Sequence, residues 1–401
     1  MVNGSTLSVV VIGYNVDEYL RACLDSLARQ TVQTDVEVII VDDGSTDDTG
    51  KIAEEAAAGR PRWQVVHTEN KGPGRARNIG LERATGDWLT FLDGDDLLPR
   101  HAYERLLASA ARTGSDLVTG GVRRWDGSTL TTTPLHALAL SGPVQRGHIT
   151  RDRQLIYDTC VWNKIIRRSS WDAAGLSFPE GVVYEDLPVA FAMHAAARST
   201  DSVPEPVYIW RRRTGGDRSI TQRLSEPDNL EQRMAALRAV DALALKFGGE
   251  SLQEAHWAKV VLIDLRRMVA YLPDSDADHR RRFLDLAGEY LTGLPDSVLQ
   301  AGGPLQRLIV GAILDRDLVT LIDLARARNL DTRPKGSVRL QVLASDLRIQ
   351  RQMRRRGLMT GFSWWNSTGN RMVYHLLPDR IGQSATDLRF NRSRPTDVLS
   401  I

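Results

Sequence analysis

The chain has 401 residues, 42% of them hydrophobic, enough to bury one sizeable core and part of a second. Its 52 basic and 50 acidic residues leave a formal charge of +2, which excludes a globally basic nucleic-acid binder and confines any basic partner surface to local patches. Cys23 and Cys160 both lie in apolar segments, which argues against a disulfide framework and for a reducing cytoplasm.

Leu7 to Ile12 reads as a first buried strand, too short for a signal peptide or a membrane span. Leu20, Cys23, Leu24 and Leu27 then recur at helical spacing. Val36 to Val41 reads as a second buried strand, ending on an acid-rich turn in which Ser45 and Asp48 have the spacing of a capping box. That predicts a helix reaching about Ala58, with Gly59 as its stop. Trp63 to His67 is a third strand, and Asn70 to Gly80 leads into a helix closed by Gly86. Trp88 to Leu92 is the central strand, followed by a helix around Ala102 to Ala111 and a strand at Asp116 to Thr119. This alternation predicts an α/β class with a mostly parallel sheet and helices on both faces.

The central strand stops abruptly on Asp93-Gly94-Asp95-Asp96, and acids at the carboxyl end of a strand lie where open α/β sheets place their ligands. Two carboxylates about 4 Å apart repel by roughly 4 kcal/mol at an effective dielectric of 20, so a convergent pair favours a hard, oxygen-seeking cation. The same residues also suit a polar turn capping the helix that begins near Pro99. Gly72 to Asn78 lacks the third glycine of a dinucleotide fingerprint and follows the third strand, not the first. Histidines are scattered without zinc-ligand spacing.

Four strings in order, VVVIGYN (9–15), VDDGSTDD (41–48), NKGPGRARNIG (70–80) and FLDGDDLL (91–98), resemble family 2 glycosyltransferases of the GT-A fold over about residues 5 to 225. The resemblance implies an inverting transfer from a nucleotide-sugar donor, assisted by Mn²⁺ or Mg²⁺. It implies that Tyr14 stacks on the base and that Asp43 accepts a hydrogen bond from uracil N3, which selects uridine over cytidine. Arg77 would lie near the uracil, and Ile12, Asn15, Asn70 and Gly94 along the same pocket. Asp93 and Asp95 match the family's DxD motif, one reaching the ribose or a metal-bound water and the other the metal. Asp186 matches the position of the base that takes the acceptor's proton, with Glu185 orienting the acceptor or a loop. Arg211, Arg212, Arg218 and Ser219 match a segment that grips the diphosphate.

Val161 to Ile165 resembles an acceptor-side motif of relatives that build or decorate cell-surface polymers. This suggests a glycan or polyol-phosphate acceptor, with Trp162 offering a sugar-stacking face and Lys164 facing a phosphate; a core tryptophan fits the residues equally. Two departures stand out: Ile12 replaces the usual proline, and no Gln-x-x-Arg-Trp string is present, which argues against a processive membrane synthase. A non-catalytic scaffold or glycan-binding subunit and a sugar nucleotidyltransferase are the competing readings. The expected layout is a nucleotide-sugar half (1–120), an acceptor half (121–226), a helical bundle (227–335) and a basic, aromatic tail (336–401). In the tail, arginines from Arg348 to Arg356 precede Phe362, Trp364 and Trp365, so the expectation extends to peripheral contact with anionic lipid or polymer at the inner face of the membrane, with self-association through this region left open.

Overall fold

The computed structural model describes residues 5–213, 227–328, 351–352 and 355. Branched apolar runs form the centre of an eight-stranded sheet: β1 (Thr6–Gly13), β2 (Asp35–Asp42), β3 (Trp63–His67) and β4 (Trp88–Asp93) pair in parallel in the order β3-β2-β1-β4. Consecutive residues of a strand point to opposite faces, and Leu7, Val9, Val10 and Val11 are all wholly buried, so β1 is covered on both sides. The connections are α1 (Asp17–Ala28), α2 (Thr49–Ala57) and α3 (Pro73–Arg83), and α1 buries the stripe Leu20, Cys23, Leu24 and Leu27.

One local expectation fails. Helix α2 starts at Thr49 without a side-chain cap, because the Ser45 hydroxyl accepts from Asn15 N at 3.0 Å and Ser45 N donates to Asp42 Oδ1 at 3.0 Å. Ser45 therefore ties two loops together, and the N–H of Thr49 is accepted by Asp47 Oδ1 at 2.9 Å instead.

Beyond α4 (Ala102–Thr113) the sheet becomes mixed. The chain continues through β5 (Leu117–Trp125), β6 (Leu130–Thr131), α5 (Pro134–Ala139), β7 (Lys164–Arg167), α6 (Arg168–Ala173), α7 (Asp186–Ala196) and β8 (Thr200–Arg211). Strand β7 lies antiparallel between β4 and β5, whereas β8 runs parallel to β5. The divide expected at residues 120 and 121 falls inside β5, a strand hydrogen-bonded to both β7 and β8.

The described residues sort into two compact units. The first is the sheet with its helices plus residues 236–252; the second comprises residues 227–235, 253–328, 351–352 and 355. Helix α8 (Pro227–Lys259) is interrupted at Gly249, whose φ is 64°. It leads through a π-helical turn at Val260–Asp264 into α9 (Leu265–Val269), α10 (Ala277–Thr292), α11 (Asp296–Leu299), α12 (Pro304–Leu314) and α13 (Leu318–Arg328). In the second unit Asp264 is buried between Arg233 at 2.5 Å and Lys259 at 2.7 Å, and these cations hold its carboxyl low against the opposing effect of burial. Among the described residues no helix is long and apolar enough to cross a membrane.

Candidate active site

Because β1 to β4 run in parallel, their carboxyl ends share one edge: Ile12 is in register with Asp93, Gly13 with Asp42, and Asp42 with His67. The loops leaving that edge carry the residues singled out in the sequence. Tyr14 is 42% exposed, free to present its ring to a ligand. Asn15 has φ 49°, and its Oδ1 accepts from Thr46 N at 2.9 Å, which fixes the loop behind Tyr14.

Asp43 is buried, and its carboxylate accepts from Lys71 N at 3.1 Å and Gly72 N at 2.9 Å. It therefore anchors the loop that enters α3, on which Asn70 is an exposed residue, and each oxygen keeps a second lone pair for a ligand. Burial pushes its carboxyl up from the ordinary value, against the pull of those two N–H groups. Next to it, Asp42 accepts Ser45 N and pairs with His67 Nδ1 at 2.9 Å.

Helix α3 delivers Arg77 to the middle of the edge. Its guanidinium is buried, donates to Asp93 Oδ1 at 2.7 Å and pairs with Glu185 Oε1. The guanidinium is thus occupied by two acids. Burial pulls its pKa down, but Asp93, Glu185 and Asp186 outweigh that and hold it above the ordinary value. Close packing makes this bridge possible: a Cβ on Gly74 would sit 2.1 Å from Pro179 O, so only glycine lets the start of α3 lie against the loop carrying Glu185. Asn78 clamps the same loop, donating to Phe178 O and accepting from Phe178 N, each at 2.9 Å.

Asp93, Asp95 and Asp96 play distinct parts. Asp96 is buried, accepts from the Tyr208 hydroxyl and from Arg211 N, each at 2.7 Å, and supports its neighbours from beneath. The Tyr208 hydroxyl also accepts from Asp93 N at 3.2 Å. Gly94 N donates to Ile12 O at 2.8 Å, and a Cβ there would lie 2.9 Å from that oxygen, so the acidic turn is pulled down onto β1. Asp95 Oδ2 accepts from Arg213 Nε at 2.7 Å. Burial, then the crowding of neighbouring acids, raises Asp96 well above the ordinary carboxylate range; burial also raises Asp93, although Arg77 opposes it.

Asp186 opens α7 next to Glu185, and its carboxyl is pushed up to about 7 by burial, by the adjacent Glu185 and by Asp93, while Arg77 pulls it down. The structure thus draws Asp93, Glu185 and Asp186 into one cluster around Arg77, and Asp43 anchors the start of the helix that carries it. The Arg211 guanidinium lies over Tyr19 at 5.2 Å and Trp125 at 5.5 Å, with Nε and Nη2 buried and lacking an acceptor among the described residues. Arg218 and Ser219 lie outside the described residues, as does most of the basic tail.

Neither acceptor-side residue stands open to a ligand in this structure. Trp162 is buried, its ring stacked on Tyr208 at 4.0 Å between centroids, so that face is already taken. Lys164 is 0% exposed: its ammonium pairs with Asp158 Oδ1 at 3.1 Å, donates to Asn163 Oδ1 at 2.7 Å and reaches Cys160 O. Asp158 in turn binds His194 Nε2 at 2.9 Å and Thr119 Oγ1 at 2.6 Å, making a buried ionic lock between β5, β7 and α7. Sequence reasoning missed Tyr208 and Arg213; their only signal was an alternating strand next to a run of arginines.

Asp93 Oδ2 and Asp95 Oδ1 accept no hydrogen bond among the described residues, which leaves two hard oxygens for a cation. No group of three or more His, Cys, Asp or Glu side chains there is arranged to hold a metal, so any ion at this edge would draw its remaining ligands from a bound diphosphate and water, the usual arrangement for Mg²⁺.

A mixed sheet whose parallel edge gathers a loop-anchoring acid, a DxD pair and an acid at a helix start defines the GT-A class of fold, followed here by a helical region. The family model for Glycosyl transferase family 2 matches residues 8–173. The chain is 30% identical over 234 residues to Uncharacterized glycosyltransferase EpsJ of Bacillus subtilis (strain 168), covering 57% of this chain and 68% of EpsJ. It is 23% identical over 334 residues to Poly(ribitol-phosphate) beta-N-acetylglucosaminyltransferase TarS of Staphylococcus aureus (strain Mu50 / ATCC 700699), covering 81% of this chain and 54% of TarS. Among solved structures, the crystal structure of S. aureus TarS 1-349 in complex with UDP-GlcNAc matches with a TM-score of 0.66 at 20% identity, over 81% of this chain and 91% of that one. The chain belongs to glycosyltransferase family 2.

Proposed function

We propose that the chain transfers a sugar from a UDP-sugar, with inversion and with a divalent metal, to a hydroxyl of a cell-surface glycan or polyol-phosphate polymer. The observation that carries this reading is the Arg77 bridge, which joins Asp93 on the donor side to Glu185 beside the candidate base Asp186. A general base works best with a pKa near the working pH, and Asp186 stands at about 7. An inverting transfer needs such a carboxylate opposite the leaving group, to take the proton as the acceptor oxygen attacks the anomeric carbon. Tyr14 and Asp43 would hold the base, and Asp93 with Asp95 would hold Mn²⁺ or Mg²⁺. Bound there, the ion would act as a Lewis acid, neutralising charge on the departing UDP. Arg77 orients Asp93 and pairs with Glu185 beside Asp186, while Arg211 would offer phosphate oxygens the N–H groups that lack an acceptor among the described residues. The name of TarS, an N-acetylglucosaminyltransferase acting on poly(ribitol-phosphate), favours a UDP-N-acetylhexosamine donor and a polyol-phosphate acceptor as the first pair to test.

The test is UDP release from a panel of UDP-sugars with Mn²⁺, with and without chelator, for the unaltered protein and Asp186→Asn. We expect chelator-sensitive release, and a loss of about 10²- to 10⁴-fold in Asp186→Asn with UDP binding retained. Failure to turn over any UDP-sugar with any metal would overturn the enzyme reading, and retained turnover in Asp186→Asn would overturn the assignment of the base.

A further inference from the structure

The Asp95–Arg213 pair plays no part in the mechanism above. Arg213 Nε donates to Asp95 Oδ2 at 2.7 Å, with the two side chains 16% and 15% exposed, so the contact is largely withdrawn from water. The other cations at this edge are differently engaged. Arg77 is held between Asp93 and Glu185, and Arg211 reaches Asp96 only through its backbone N–H, its guanidinium resting on aromatic rings. Among the described residues Arg213 is therefore the cation paired with Asp95. Its guanidinium also lies 5.9 Å from the centroid of Tyr19, the ring that Arg211 covers, so a second surface can hold it when it leaves the carboxylate.

We propose that Arg213 is a resident counter-cation, a positioning residue that occupies Asp95 in the metal-free protein and is displaced when a divalent ion and a nucleoside diphosphate arrive together. The inference rests on the reading of Asp95 as a metal ligand. A divalent ion on Asp95 stands against a guanidinium on the same carboxylate, and like charges in a poorly hydrated site repel strongly. An ion arriving alone must expel Arg213 without giving it a new acceptor. An ion arriving with a diphosphate supplies phosphate oxygens to which the displaced guanidinium can donate. Arg213 thus penalises metal binding without nucleotide and favours the ternary complex, coupling the two ligands reciprocally.

The experiment measures Mn²⁺ affinity by electron paramagnetic resonance, without and with saturating UDP, for the unaltered chain and for Arg213→Gln, Arg213→Lys, Arg100→Gln and Asp95→Asn. Arg100 is exposed, belongs to none of the site residues and makes the same charge change shortly after Asp95 in the chain. We expect Arg213→Gln to bind Mn²⁺ alone at least threefold more tightly and to lose most of the tightening that UDP confers. Arg213→Lys should retain part of that coupling, and Arg100→Gln should match the unaltered chain. If Arg213→Gln leaves both affinities unchanged, or shifts them no more than Arg100→Gln does, the counter-cation role is overturned. If Asp95→Asn binds Mn²⁺ as well as the unaltered chain, it is the metal assignment that fails, so the two failures are told apart. Circular dichroism and thermal melting confirm that each variant is folded before its affinity is compared.

Discussion

At the scale of single residues, the proposed base Asp186 sets the pH response to expect. Burial is the largest cause of its rise to about 7, followed by Glu185, with Arg77 opposing. A base must be ionised to accept a proton, so kcat/KM should fall as pH drops through about 7. Glu185→Gln removes a neighbouring negative charge and leaves Arg77 less neutralised, and both changes favour ionised Asp186. We therefore expect the acid limb of the pH profile to move to lower pH in that variant; a limb that stays in place would show that Glu185 does not set the charge of its neighbour. The types and edge of these acids were legible in the chain, since Asp43, Asp93 and Asp186 each follow an apolar run or open a helix. The counter-charges were not: Arg77 is 108 residues from Glu185, and no periodicity encodes so distant a pair. Lys164 and Trp162 show the opposite failure, for a motif displays its polar and aromatic residues without showing that Asp158 and Tyr208 already occupy them.

At the scale of elements, the site depends on how closely α3 can approach the loop before α7. A Cβ at Gly74 would meet Pro179 O at 2.1 Å and Pro179 C at 3.2 Å, both main-chain atoms that cannot move without shifting the segment that carries Glu185 and Asp186. Gly74→Ala should therefore destabilise the chain by about 1–3 kcal/mol in denaturant melts and lower kcat more than it weakens UDP binding. Gly288 in α10 is the matched control, with nothing within 4 Å of where an added methyl would stand, so Gly288→Ala should be neutral or gain up to about 1 kcal/mol through helix propensity. Equal losses at both positions would show that the approach of α3 is not what the site requires. The parallel core, β1 to β4, was readable because buried parallel strands are continuous apolar runs. Strand β7 was not, since a run as short as Lys164–Arg167 carries too little pattern to tell a strand from a turn, and its antiparallel pairing with β4 and β5 is a tertiary outcome.

Over the whole molecule, 52 basic and 50 acidic residues nearly cancel, yet the candidate site concentrates acids whose mutual repulsion the bulk composition conceals. Asp93, Asp96 and Asp186 are each raised, burial first and neighbouring acids after it. A carboxyl with a folded pKa above its unfolded value contributes stability below the unfolded pKa, and that contribution is lost as pH rises through the folded one. The site therefore weakens the fold as pH climbs from about 4 towards and past 7, whereas Asp158 and Asp116, held low by their cationic partners against burial, contribute above the unfolded value and lose it only in acid. On these groups, stability should peak near the unfolded carboxylate value of about 4. A divalent ion bound with UDP would neutralise Asp93, whose carboxyl burial raises, so protons compete with the ion as pH falls, and Mn²⁺ with UDP should raise the melting temperature more at pH 8 than at pH 6. At a hundredfold excess over Kd the stabilisation is about 2.7 kcal/mol, on the order of 5 °C for a unit of this size. Chelator should reverse the shift, and Asp95→Asn should remove most of it. An equal shift at both pH values would mean that the ligand's affinity does not depend on ionising the acids at the edge of β4, and the charge argument that links this site to a metal-bound diphosphate would then fail.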